Sequence, residues 1–153
     1  MTPVSTIVAR VGAVLLLATV TGVSIHAQGV RKTPHKAILV LEDVSGTCTP
    51  EKPDVVLKRS QHSGLKWRVA NFCSAEATVE VFGFEPVLTG GCTAPAGSKP
   101  FNEASRSQSG IKRETAQAFK DDFTLGASED LGCWTYKVKI GANTFDPQVR
   151  IDR

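Results

Sequence analysis

Apolar and polar residues alternate with a period of two through much of this chain. Leu65, Trp67 and Val69 alternate with Lys66, Arg68 and Ala70, and Ala77, Val79 and Val81 alternate with Thr78 and Glu80. Near the C-terminus Trp134, Tyr136, Val138 and Ile140 alternate with Thr135, Lys137 and Lys139. Successive side chains of a strand point to opposite faces, so each run predicts a strand with one buried and one solvated face. Ala37-Ile38-Leu39-Val40-Leu41 is apolar without interruption and predicts a strand covered on both faces. Val55-Val56-Leu57 predicts another short strand. Turn residues at Ser45-Gly46-Thr47, Ser60–Gly64 and Gly141-Ala142-Asn143 separate these runs.

Two stretches break the pattern. From Leu88 to Gly110 the chain is rich in Gly, Pro, Ser and Ala, with Phe101 as its one large aromatic residue. It reads as a long, mobile surface loop tethered by Cys92. From Ile111 to Asp122, Ile111, Thr115 and Phe119 stand at helical spacing. A helix there would put Lys112 and Arg113 at its positive end and Asp121 and Asp122 at its negative end, against the macrodipole. A strand that turns at Lys120-Asp121-Asp122 and continues through Phe123 and Leu125 fits at least as well. The sum is an all-β chain: a Greek-key β-sandwich of about seven strands.

The N-terminus changes what counts as the domain. Arg10 precedes the apolar run Val11–Val23, and Ile25-His26-Ala27 offers a small residue for cleavage before Gln28. This is the layout of a secretory signal peptide over residues 1–27, and the run is short for a membrane span. Residues 28–36 form a polar, basic leader arm, and 37–153 a single β-sandwich domain. Cleavage of the 153-residue chain would leave about 126 residues, enough for one core. It would lower the formal charge from +3 to about +2, which favours neither a nucleic-acid partner nor membrane attachment after signal cleavage. Cys48, Cys73, Cys92 and Cys133 all lie beyond the signal. An even count in an exported chain reads as two disulfides, with three connectivities open. Their spacing contains no close pair of the kind that binds zinc. The expected compartment is secreted or periplasmic.

Two short pieces resemble cupredoxin-like proteins. Pro53-Asp54-Val55-Val56-Leu57, a turn, and Leu65–Asn71 look like that family's second and third strands, which lead to an asparagine-containing loop at the metal end. Gly132-Cys133-Trp134-Thr135-Tyr136-Lys137-Val138 is similar to its penultimate strand, G-x-Y-x-Y-x-C. In outline the resemblance spans Pro53 to Ile151. Val138 stands where the resemblance implies a copper-binding cysteine, the run after it has neither histidine nor methionine, and Phe72-Cys73-Ser74 follows Asn71. A blue-copper site needs His₂Cys with a weak axial ligand, so the resemblance implies the sandwich without that site. Asp130–Tyr136 also resembles the D-x-G-x-Y-x-C stretch of immunoglobulin-like domains. The ending T-F-D-P-x-V-R-I resembles tails of uncharacterised exported bacterial proteins. In the resembled topology Cys48 and Cys73 fall at one end of the sandwich and Cys92 and Cys133 at the other, which implies the pairs Cys48–Cys73 and Cys92–Cys133.

Candidate chemistry is sparse. Beyond residue 27 only His35 and His62 remain as histidines, the first in the leader arm and the second in a predicted turn. A serine or cysteine nucleophile needs a histidine base oriented by a third group, and no such set is legible. Asp121-Asp122 and Glu129-Asp130 read as solvated turn carboxylates without EF-hand spacing. Gly90-Gly91 alone cradles no phosphate. Trp67, Trp134 and Tyr136 read as core. The expected function is an exported, non-catalytic binding or structural module without cofactor, its partner a protein or small molecule of unknown identity. The alternative is a cupredoxin-like protein that binds copper away from the family's site, through His35 and His62; a third is a hydrolase.

Overall fold

The computed structural model describes residues 31–51, 55–88, 92–126 and 131–153. The expected signal peptide, Pro53-Asp54, Gly90-Gly91 and Glu129-Asp130 lie outside the described residues. Two sheets form the unit Arg31–Arg153. The strands are β1 (Thr33–Val44), β2 (Thr47–Pro50), β3 (Val55–Lys58), β4 (His62–Asn71), β5 (Ala77–Pro86) and β6 (Ser105–Ile111). They continue with β7 (Thr115–Ala118), β8 (Phe123–Thr124), β9 (Gly132–Ile140), β10 (Asn143–Phe145) and β11 (Gln148–Asp152). The first sheet has the order β2-β1-β4-β7, with β8 also on β4. The second has the order β3-β11-β9-β5-β6, with β10 also on β9. Most pairs are antiparallel, but β1 runs parallel to β4 and β11 parallel to β3.

The alternating runs form strands as expected. Leu65, Trp67 and Val69 point inward from β4, opposite Val79 and Val81 of β5 and Trp134, Tyr136 and Val138 of β9, all buried. The strand count exceeds seven because four pieces of two to four residues, β2, β7, β8 and β10, pair as short ribbons. Such pieces are too short to show a period in sequence. Ser45 and Gly46 both have positive φ, 53° and 79°, and join β1 to β2 as a tight two-residue hairpin.

Three expectations need correction. Thr33–Lys36, placed in the leader arm, begin β1: their backbone pairs with β4, and pairing needs no apolar side chains. The run Ala37–Leu41 is covered on one face only, since Ala37, Leu39 and Leu41 are buried while Ile38 is 56% exposed. Leu88–Gly110 is not one loop. Ser105–Ile111 forms the edge strand β6 on β5, and its polar sequence reflects two faces that are largely open to solvent. Phe101 is fully buried, with its ring 5.0 Å from Phe84 and 5.4 Å from Phe123. The strand reading of Ile111–Asp122 is the right one: β7 follows a turn at Lys112–Glu114, with Glu114 at φ 57°, and β8 follows a bend at Lys120-Asp121.

Cys48 is bonded to Cys73 and Cys92 to Cys133, with Cα atoms 5.6 Å and 5.7 Å apart. Both pairs are those the resembled topology implies. Disulfides persist in oxidising surroundings, so this chain fits an extracellular-type environment.

Candidate functional site

Three regions bear on function, beginning with the end of the sandwich reached by β4. Asn71 closes that strand and is fully buried. Its amide nitrogen donates to the carbonyls of Ala75 (2.9 Å) and Ile111 (2.8 Å), and its side-chain oxygen accepts from the Cys73 amide (2.9 Å). Every strong bond of this side chain goes to backbone, so it holds the Cys73 loop against the end of β6. Asp43 accepts from the Ser74 amide at 2.8 Å and reinforces the same loop from the β1 side. Val138 is buried between Val81 and Phe145 in the sheet register. Among the described residues, no group of three or more His, Cys, Asp or Glu side chains is placed to hold a metal ion.

At the opposite end, β1 and β4 begin side by side. Thr33 pairs with His62 and His35 with Leu65, and the register shifts between Thr33 and His35. The irregularity carries His35 toward His62, and the two imidazole centroids lie 4.8 Å apart with planes at 79°. The Lys58 amide donates to His62 Nδ1 at 3.2 Å. Burial, with a smaller contribution from His62, lowers the His35 pKa below its ordinary 6.5, so this ring is neutral at pH 7. The leader-arm and turn placements separated these histidines; parallel pairing of β1 with β4 unites them. No local pattern in either stretch reports that contact.

The third region is the outer face of the first sheet. Residues Lys36, Ile38 and Val40 of β1 share this face with Lys66, Arg68 and Ala70 of β4 and with Ala116 and Ala118 of β7. Register places Ile38, Arg68 and Ala118 in one row and Val40, Ala70 and Ala116 in the next. The small alanines leave a shallow groove of about 420 Å³ between Ile38 and the β7 edge. Lys66 is paired with Asp122 at 2.9 Å, whereas Lys36 and Arg68 have no carboxylate partner among the described residues. The groove was missed in the sequence, although its signal is there: the uninterrupted AILVL run supplies apolar residues to a face that is open among the described residues. No protein-family model matches this sequence, and no curated protein matches it either.

Proposed function

We propose that this chain is an exported binding or structural module, secreted or periplasmic, that engages a partner through the outer face of its first sheet and needs no cofactor for that contact. The observation that carries the reading is Ile38, more than half exposed on the outer face, in one row with Arg68 and exposed Ala118 and next to the row that ends in exposed Ala116. Apolar side chains gathered on a solvated face are favoured where a partner covers them. Lys36 at one end of the groove and Arg68 between Ile38 and Ala118 select a partner with acidic groups, and they oppose a second copy, whose own cations would meet them.

β7 adds a backbone handle. The Phe119 amide bonds inward to the Trp67 carbonyl, and antiparallel bonding alternates, so the amides of Ala116 and Ala118 face the free edge. An extended segment whose apolar and acidic residues share one face, at positions i, i+2 and i+4, would pair with that edge and turn that face toward the groove and its cations. The sheet order supports the cupredoxin-like outline over the immunoglobulin-like one. Immunoglobulin strands divide into ABED and CFG sheets, whereas here β1 and β4, the first two long strands, lie parallel in one sheet.

Amide chemical-shift mapping against a library of extended peptides that carry apolar and acidic residues together on one face, at every second position, tests the reading. Shifts are expected at Ile38, Arg68, Ala116 and Ala118, and Arg68→Glu should abolish them. Shifts confined to other surfaces, or none across the library, would overturn it.

A further inference from the structure

The two histidines among the described residues are 27 positions apart in sequence, yet their rings are in contact at the start of β1 and β4. We propose that His35 and His62 together bind a divalent transition-metal ion, Cu(II) above others, at the end of the sandwich remote from Asn71.

Geometry is the main support. A metal about 2.0 Å from an imidazole nitrogen lies about 3.2 Å from the ring centroid, so two rings sharing one ion at angles from square to tetrahedral have centroids about 4.5–5.2 Å apart. The observed separation is 4.8 Å, with the ring planes at 79°. The two backbones hold the ring centroids at a separation compatible with a shared ion.

Tautomer bookkeeping is consistent with binding. With Nδ1 accepting from the Lys58 amide, neutral His62 carries its proton on Nε2. Coordination through Nε2 requires that proton to move to Nδ1, which gives up the bond from Lys58. Lys58 is exposed, so water takes over its amide. Coordination through Nδ1 displaces the same bond and leaves the proton where it is. Neither route buries an orphaned donor.

The surroundings select the ion. The stretches RKTPHK (31–36) and KRSQHS (58–63) contain five lysines and arginines and no carboxylate. Hard cations such as Ca²⁺ and Mg²⁺ favour sites with several carboxylate oxygens, and these two stretches supply none. A borderline ion bound to imidazole nitrogen tolerates the positive rim, and Cu(II) leads the divalent affinity order. Water or a small anion attracted by that rim would complete the coordination.

The test uses the oxidised mature chain without a purification tag, titrated with Cu(II) alone and then Zn(II) alone. One Cu(II) per chain is expected, with nitrogen hyperfine coupling in the electron paramagnetic resonance spectrum and weaker Zn(II) binding. His35→Ala and His62→Ala should each weaken Cu(II) binding more than about tenfold, since loss of even an outer-shell partner costs that much. Paramagnetic broadening in wild-type NMR spectra keeps the test independent of how the variants fold. At substoichiometric Cu(II), the His35 and His62 ring signals should broaden first. Broadening centred elsewhere, such as at the free N-terminal amine, or undiminished binding in both folded variants, would overturn the proposal.

Discussion

At the residue scale, single side chains do work that their neighbours in sequence do not announce. Asn71 is the clearest case, because its amide ties two backbone groups of the adjoining loop to a third, Ile111, that is 40 residues away. Asn71→Ala should cost about 2–4 kcal/mol in urea unfolding, since it leaves buried donors and acceptors unpaired. Asn71→Asp should also destabilise, because a carboxylate cannot donate to the carbonyls of Ala75 and Ile111. A cost below that of a typical surface substitution would remove Asn71 from this structural role. His35 gives a pH-dependent counterpart. Its folded pKa is lowered, so below the ordinary 6.5 the unfolded chain takes up this proton more readily than the folded one. The stability it supports is therefore complete above that value and declines as pH falls toward the lowered folded pKa. Between about pH 7.5 and 5.5 the urea midpoint of His35→Gln should fall less than that of wild type. Equal slopes would show that burial of this ring has no such effect. The asparagine was legible in sequence as a loop landmark, but its three bonds were not. The contact of His35 with His62 was invisible because it depends on a parallel pairing between residues of two separate stretches.

At the element scale, legibility follows length and amphipathicity. The strands β4, β5 and β9 alternate over many residues with one face in the core, and each was readable from that pattern alone. β6 was not, because SRSQSGI sits at a sheet edge and buries only Ile111. Its partner β5 supplies the order through backbone bonds, which leave no compositional trace. β1 misled in the opposite sense, since a continuous apolar run implied two covered faces and the fold covers one. Adjacent substitutions in β1 separate those two cases. Leu39→Ala should cost about 2–5 kcal/mol, as expected for a buried leucine. Ile38→Thr should change stability by less than about 0.5 kcal/mol, because a half-open face offers little burial to lose and threonine keeps the β-branch. Comparable losses from both substitutions, read as urea midpoints with constant slope, would mean that the outer face is covered in the isolated protein. That result would also remove the basis for a docking groove there.

At the scale of the whole molecule, the sheets are joined by side-chain packing and the disulfides act on something else. Cys92 reaches Cys133 of β9 within the second sheet's surroundings, and Cys48 of β2 reaches Cys73 in the loop that follows β4. Neither bond runs strand to strand across the core, where Trp67 meets Tyr136 with centroids 5.7 Å apart. Their main effect should then fall on the unfolded chain, whose freedom they restrict. With sequence separations of 25 and 41, the chain-entropy relation gives about 3.5 kcal/mol for Cys48–Cys73 and about 3.9 kcal/mol for Cys92–Cys133. A domain of this size has about 5–15 kcal/mol in total, so either bond alone should be dispensable for folding, whereas the pair, at about 7.4 kcal/mol, matches or exceeds the total in the lower part of that range. The paired variant Cys48→Ala/Cys73→Ala should remain folded with a lower urea midpoint, and Cys92→Ala/Cys133→Ala should be destabilised slightly more. Removing all four cysteines should leave a largely unfolded chain by circular dichroism. If the four-alanine variant were as stable as either two-alanine variant, the core alone would suffice, and the bridges would owe their presence to something other than stability. If the bond that closes the shorter loop proved far the more costly, the strain of an unsupported Asn71–Cys73 loop would outweigh chain entropy.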